Sequence, residues 1–149
     1  METATTRSTE ENQIKQLSDE WADALRSKDL DRMMKNYSPD IRVFDISPPL
    51  QYVGAEAYRR KWEQMFKSIE GPIEYEVRDR VISASDGVAF VHCVNRIGMK
   101  AKGAKADEGT WLRVTVCFRK IDAQWMVTHE HVSVPFDVKN GKASIDLKP

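Results

Sequence analysis

The residues of this sequence that could do chemistry gather in a few places. Arg113, Thr115, His129, Glu130 and His131 fall within the stretch Thr110 to Pro135, TWLRVTVCFRKIDAQWMVTHEHVSVP, while Asp45 and His92 sit in earlier runs that also alternate apolar and polar residues. A carboxylate such as Asp45 serves as a general base when it is partly desolvated and can reach an acidic C–H or a water. A neutral imidazole such as His92 donates, accepts or exchanges a proton near neutrality. Arg113 and Thr115 share one face of a strand, so a guanidinium fork and a hydroxyl can together hold a carboxylate or an enolate oxygen. Each group also has a structural reading. Asp45 can pair with Arg42 or a backbone donor at a strand end, His92 can be a satisfied core residue, and Arg113 can pair with Glu130 across a hairpin. Three histidines could offer nitrogens to a metal, but no acidic or cysteine ligand has diagnostic spacing, and neither a metal nor a cofactor is expected.

The elements that would position these groups are legible in the periodicity. Ser8 and Glu11 have the spacing of a capping box, and Ile14, Leu17, Trp21, Ala24 and Leu25 then form one apolar stripe, which predicts a first helix. Asp29 caps a short second helix, Leu30 to Tyr37, stopped by Pro39. IRVFDI is a first strand with Ile41, Val43 and Asp45 on one face, and after Gly54 a third helix carries Tyr58, Trp62, Met65, Phe66 and Ile69 on one side. Trp21 and Trp62 are expected to line the helix side of a cavity, a role that looks the same in sequence as plain core.

From Ile73 the period changes to two. Asp86 and Gly87 join two long strands in a tight hairpin, Asp122 and Ala123 join two more, and Asn140 and Gly141 suggest a small terminal hairpin. The lysines of MKAKGAKADEG belong to a hairpin tip, or alternatively to an anion-binding lid. Three helices followed by long antiparallel strands make an α+β fold, in which a curved sheet and the helices in its concave side enclose a space.

Composition bounds the function. A chain of 149 residues with 41% hydrophobic content is expected to be one domain, with a core at about 9–137, a frayed start over 1–8 and a terminal strand or hairpin over 136–149. Its 23 basic residues balance 23 acidic ones, so no overall field draws it to nucleic acid or to an anionic membrane. Cys93 and Cys117 lie in strand-like runs and read as buried thiols. No apolar run is long enough for a membrane helix and METATTRSTEEN lacks the regions of a signal peptide, so a cytoplasmic location is the default.

The order of elements, and Tyr37, Asp40, Val43 and Asp45 followed by Gly54, Ala55, Glu56 and a helix, resemble the superfamily of nuclear transport factor 2, ketosteroid isomerase and the SnoaL-like polyketide cyclases. WMVTHEHVSVP looks like the last strand of its SnoaL-like and ketosteroid-isomerase-homologue branch, and is also similar to the association domain of calcium/calmodulin-dependent protein kinase II. The resemblance implies a cone-shaped α+β fold and a homodimer. It places Asp45 at the isomerase's proton-shuttling carboxylate and turns His92 toward the cavity. It also sets Trp21 and Thr115 where that enzyme has its oxyanion-holding Tyr and protonated Asp. Neither replaces an acidic donor, so steroid Δ-isomerase activity is not expected.

Strict alternation puts Trp125, Val127, His129, His131 and Ser133 on one face of the last strand and Glu130 on the other. The resemblance turns Glu130 inward, and a single bulge would reverse the assignment over part of the strand, which keeps His131 as an alternative lining residue. The sequence therefore points to a SnoaL-like protein that binds a small apolar or aromatic ligand bearing an oxygen. Asp45 and His92 are its catalytic candidates, and Trp21, Trp62, Arg113, Thr115, Glu130 and His131 its binding candidates. Cofactor-free isomerase, hydratase or dehydratase, or cyclase chemistry fits such a pocket; the alternative is a non-catalytic ligand-binding or oligomerisation module of the same fold.

Overall fold

Helix α1 runs from Ala4 to Arg26 and is capped by Thr3, whose side chain accepts from the Thr6 N–H. It starts a turn before the capping box at Ser8, inside the stretch expected to be frayed. That turn is exposed and holds no large apolar residue, so no apolar period announced it. The computed structural model describes residues 3–106 and 108–149; Met1 and Glu2 of the expected frayed start, and Asp107 of the lysine-bearing loop, lie outside the described residues. The stripe along α1 is the buried one, with Ile14, Ala24 and Leu25 fully enclosed and Leu17 and Trp21 packed against the same core. None of the described helices is long and apolar enough to cross a membrane.

Helix α2 spans only Leu30–Met34, with the Asp29 carboxylate accepting from the Arg32 N–H. The expected helix to Tyr37 is cut short because Tyr37 already belongs to strand β1, Tyr37–Phe44, where it is registered with Val127. A two-residue edge strand β2, Tyr52–Val53, leads to Gly54 and helix α3, Ala55–Ser68, which buries Tyr58 and Trp62. Gly54 has φ 89° and ψ 150°, a region essentially reserved for glycine, and an added Cβ there would lie 3.3 Å from the Pro39 carbonyl oxygen.

Four long strands follow: β3 (Ile69–Ser85), β4 (Val88–Ala101), β5 (Thr110–Ile121) and β6 (Gln124–Ser133). The tight turns form at the two expected pairs, Asp86–Gly87 with φ 51° and 75° and Asp122–Ala123 with φ 50° and 65°. The sheet order is β2-β1-β6-β5-β4-β3, and β1 joins β6 in parallel while the other neighbours are antiparallel. The sheet is thus mixed rather than wholly antiparallel, because the chain crosses from β1 to β6 by way of α3 and four intervening strands. Register shifts within β3 between Glu70 and Glu74 and between Arg78 and Val81 add local twist, and the sheet curves without closing. The concave side and the helices share one apolar core that includes Tyr37, Ile41, Val43, Tyr58, Phe118 and Trp125. Beyond it β7 (Phe136–Asp137) and β8 (Lys142–Ala143) form the terminal hairpin. At the end of β4, before the lysine-bearing loop, Lys100 is paired with Glu70 of β3 at 2.6 Å.

Replacing Gly54 with Ala forces a side chain into that backbone region. Chemical denaturation should show a loss of about 1–3 kcal/mol for Gly54→Ala, and unchanged stability would mean that the β2–α3 junction relaxes freely.

Candidate active site

A cavity of about 330 Å³ opens between α1, the α2–β1 junction and the concave faces of β3 to β6. Its walls are largely apolar, with Leu17, Met33, Val91, Val116, Phe118 and Val127 among them, and its polar side chains include Glu130, Tyr37, Tyr75 and Asn95. Each strand contributes alternate residues, so β4 presents Val91, Cys93 and Asn95 and β5 presents Val114, Val116 and Phe118. On β6 the alternation breaks. Cys117 is registered with His129 but Phe118 with Val127, which leaves Thr128 as the extra residue of a bulge. Before the bulge Trp125 and Val127 point inward; after it Glu130 does, and His129 and His131 turn out.

Glu130 is 5% exposed. The Tyr37 hydroxyl donates to its carboxylate, 3.2 Å from each oxygen. The Tyr37 ring stacks on that of Tyr58, with centroids 6.0 Å apart and planes 8° from parallel, and the Tyr58 hydroxyl also lies beside the carboxyl. Trp21 and Trp62 support the pair from behind: their indole N–H groups approach the Tyr37 and Tyr58 hydroxyls without completing a well-formed hydrogen bond.

Beyond this layer Lys61 Nζ meets Asp45 Oδ2 at 2.8 Å, with the two side chains only 13% and 4% exposed. The ammonium lies 4.0 Å from the Trp62 ring centroid and 5.3 Å from that of Tyr58, and the other Asp45 oxygen accepts from the Ile46 N–H at 2.8 Å.

The charges in this small volume set the proton affinities. Burial, and secondarily the negative charge of Asp45, push the Glu130 carboxyl up to about 7; the Tyr37 hydrogen bond and the Lys61 charge oppose them less strongly. Burial, followed by the Glu130 charge, pushes the Tyr37 and Tyr58 phenols well up, so both stay protonated and serve as donors. The outcome is a carboxyl with both forms available near neutrality, beside a phenol donor, in a largely apolar chamber. Such a pair can take a proton from carbon, return it elsewhere, and stabilise an oxyanion in between.

The residues singled out in the sequence divide between two places. Glu130 and Trp21 line the cavity. Trp62 is buried behind Tyr58 without lining it, and Asp45 is locked to Lys61 rather than to Arg42. His92, Arg113, Thr115 and His131 are exposed and point away from the cavity, which differs from the expected shared hollow. Strand parity is the reason: a one-residue change of phase sends every side chain to the opposite face. The register does place His92, Thr115 and His131 in one row across β4, β5 and β6, but on the outer face. There His92 stacks on Phe90, His131 meets the edge of Phe44, and Arg113 Nε donates to Ser133 rather than pairing with Glu130.

Sequence reasoning missed Tyr37, Tyr58, Lys61, Tyr75 and Asn95 as parts of the site. Lys61 carried a signal, since it lies on the apolar stripe of α3 three residues from Tyr58 and four from Met65. A lysine there needs a buried acid. Tyr58 carried none beyond its hydrophobic spacing, and Tyr37 only its place in the pattern that carries the resemblance.

Residues 14–137 match the family model of the SnoaL-like domain. No match to the chain was found among curated proteins. The fold is similar to the crystal structure of an NTF2-like protein of unknown function from Pseudomonas putida, with 35% identity, a TM-score of 0.87 and coverage of 95% of this chain and 98% of that one. It is also similar to a candidate dehydratase of the NTF2-like family from Streptomyces avermitilis (17% identity, TM-score 0.75, covering 87% and 99%). A ketosteroid isomerase-like protein from Erwinia carotovora atroseptica shares the fold at 17% identity and a TM-score of 0.68, covering 80% and 92%.

Glu130 gives stability a pH dependence of definite sign. Its folded value of about 7 exceeds the ordinary 4.5, so between those values the folded state holds the proton that the unfolded state releases. The contribution is complete below pH 4.5 and is lost as pH rises through 7, with a span on the order of 3 kcal/mol. Denaturant midpoints measured from pH 4.5 to 8 should fall for the wild type and stay nearly flat for Glu130→Gln; parallel curves would mean that the carboxyl titrates normally.

Proposed function

The chain belongs to the SnoaL-like domain family, and on that premise we propose that its cavity takes up a small, largely apolar ligand bearing an oxygen and moves a proton on it through Glu130. The observation that carries this reading is a carboxyl buried in an apolar chamber with a phenol donating to it; burial pushes that carboxyl up to about 7. Glu130 as carboxylate removes a proton from the carbon beside a carbonyl, and the C–H electron pair passes to the carbonyl oxygen. Once protonated, Glu130 is a poorer acceptor, and the Tyr37 hydroxyl is released to donate to that oxygen. Return of the proton to a different carbon is an isomerisation, and its delivery to a β-hydroxyl expels water, which is a dehydration. The shared fold of a candidate dehydratase and an isomerase-like protein supports both outcomes. Asp45 acts on this chemistry through Glu130: its charge raises the carboxyl's proton affinity, and Lys61 holds Asp45 in place.

A second reading, a homodimer, concerns the outer face. Phe44 at 39% and Phe90 at 45% exposure stand among His92, Thr115 and His131, an arrangement that suits the apolar centre of an interface between two copies. Size exclusion with light scattering should give a dimer for the wild type and a monomer for Phe90→Glu; a monomeric wild type removes the interface.

The proton-transfer reading is tested with 2-tetralone, an aromatic ketone with acidic α-hydrogens, dissolved in D2O and followed by NMR. The wild type should accelerate α-hydrogen exchange, with a rate that rises with pH through about 7. Glu130→Gln should lower it by roughly 100- to 10,000-fold, and Tyr37→Phe by a smaller factor. Equal exchange with and without the Glu130 carboxyl eliminates it as the base.

A further inference from the structure

The far end of the cavity holds a second polar group that the proton transfer does not use. Asn95 is 3% exposed and lines the cavity from β4. Its Nδ2 donates to the Tyr75 hydroxyl in a short hydrogen bond, and its Oδ1 is buried without a hydrogen-bond partner. A buried amide oxygen left without a donor has lost its water and gained nothing in return, so it is a feature that needs an occupant. Tyr75 lines the cavity too, and burial pushes its phenol upward, so it keeps a proton to donate. One end of the chamber therefore offers an unused amide acceptor beside a phenol O–H, framed by Trp21 and Val77.

The register fixes how far this end is from Glu130. Val116 is level with both Glu130 and Val91, and Asn95 stands four residues further along β4, roughly 13 Å between backbones. The side chains reach toward each other, so that Tyr75 packs on Trp21 with ring centroids 5.7 Å apart and feels the Glu130 charge, a span that suits a compact ligand. Between them the walls are mostly aliphatic and aromatic. A ligand that spans the chamber needs a polar group at each end and an apolar body between.

We propose that Asn95 is a specificity-determining residue: its side-chain oxygen receives a hydroxyl carried by the ligand at the end opposite the one that Glu130 acts on, and so selects for compact ring systems oxygenated at both ends. The proposal rests on the proton-transfer reading for the orientation of the ligand, not for the existence of this second site. A hydroxyl is the group that serves the amide best. It donates to Oδ1, it can accept from the Tyr75 phenol, and it would still be satisfied if the amide turned over and offered Nδ2 instead.

The test compares three probes by quenching of intrinsic tryptophan fluorescence, Trp21 being in the wall: 2-tetralone, 6-hydroxy-2-tetralone and 6-methoxy-2-tetralone. The wild type should bind the hydroxy compound about tenfold or more tightly than the parent, and the methoxy compound, which cannot donate, no more tightly than the parent. In Asn95→Leu the advantage of the hydroxyl should disappear. Equal affinity of the wild type for the hydroxy and parent compounds overturns the proposal, as does an advantage that persists in Asn95→Leu. The comparison among probes on the wild type decides the matter even if the variant fails to fold. The two readings fail separately: α-hydrogen exchange without a hydroxyl preference removes the Asn95 site alone. A hydroxyl preference without exchange removes the role of Glu130 and leaves the Asn95 site standing. Absence of binding by all three removes both.

Discussion

The structure turns on keeping one carboxyl, Glu130, inside an apolar chamber. An isolated carboxylate in such a place is strongly disfavoured, and the ordinary remedies are to pair it, to hydrogen-bond it or to let it hold its proton. This fold uses the last two in balance. Tyr37 donates to both oxygens, which favours the charged form, while burial and the neighbouring Asp45 favour the neutral form and prevail. Lys61 would have tipped the balance had it met Glu130 directly. It pairs with Asp45 instead, so its charge is mostly spent on a carboxylate that is not part of the cavity wall.

The surrounding architecture follows from that constraint. A carboxyl can be shared by a phenol from β1 only if β1 lies beside β6, and the parallel pairing registers Tyr37 with Val127 and Val43 with Glu130. The aromatic layer behind them holds the phenols in place. Tyr37 stacks on Tyr58, Tyr58 meets the edge of Trp62, and Trp62 meets Trp21, each with ring centroids 6.0 to 6.2 Å apart. Such contacts contribute about 0.5–1.5 kcal/mol apiece beyond the area they bury, enough together to oppose displacement of the phenols. The Lys61 ammonium over the Trp62 face joins the ion pair to the same layer. Helix α3 thus supplies Tyr58, Lys61 and Trp62 from one face, and the strained glycine at its start fixes the angle at which that face enters.

Much of this was legible in the sequence, and the parts that were not have a common cause. The amphipathic stripes of α1 and α3, the Asp29 cap and the turns at Asp86–Gly87 and Asp122–Ala123 are local, and each is written in a few neighbouring residues. The fold class followed from their order and from the resemblance. Side-chain direction across the sheet is a different kind of information. The phase of β4 and β5 placed His92, Arg113 and Thr115 outside, and nothing within a strand distinguishes an outward His from a buried one when both faces carry apolar residues. Glu130 came out inward only because a bulge at Thr128 shifts the phase after Val127. The bulge is set by pairing with β5, not by any glycine in TWLRVTVCFRKIDAQWMVTHEHVSVP, which has none. Tyr37 was hidden by a boundary: its spacing continues the short second helix, and only tertiary pairing with β6 makes it a strand residue.

The two faces of the sheet separate tasks that compete for the same kinds of residue. Histidine and arginine, the groups most readily assigned to catalysis by type, stand on the outer face, where water screens them and where their pairing with Ser133, Phe44 and Phe90 shapes a surface. The strands' inner face around the cavity keeps one carboxyl, phenols, a thiol and an amide, while the charged Glu20, Arg32 and Lys35 join the lining from the helix side, where they are exposed to water. That choice has a physical logic. A permanently charged side chain in a chamber of this polarity would demand a counter-charge from the ligand, whereas neutral donors and a carboxyl with proton affinity near 7 accept ligands without net charge. The strand walls therefore favour the uncharged body of a ligand, and at the Glu130 end charge develops during the transfer of the proton, when Tyr37 and Glu130 are already in position to accommodate it.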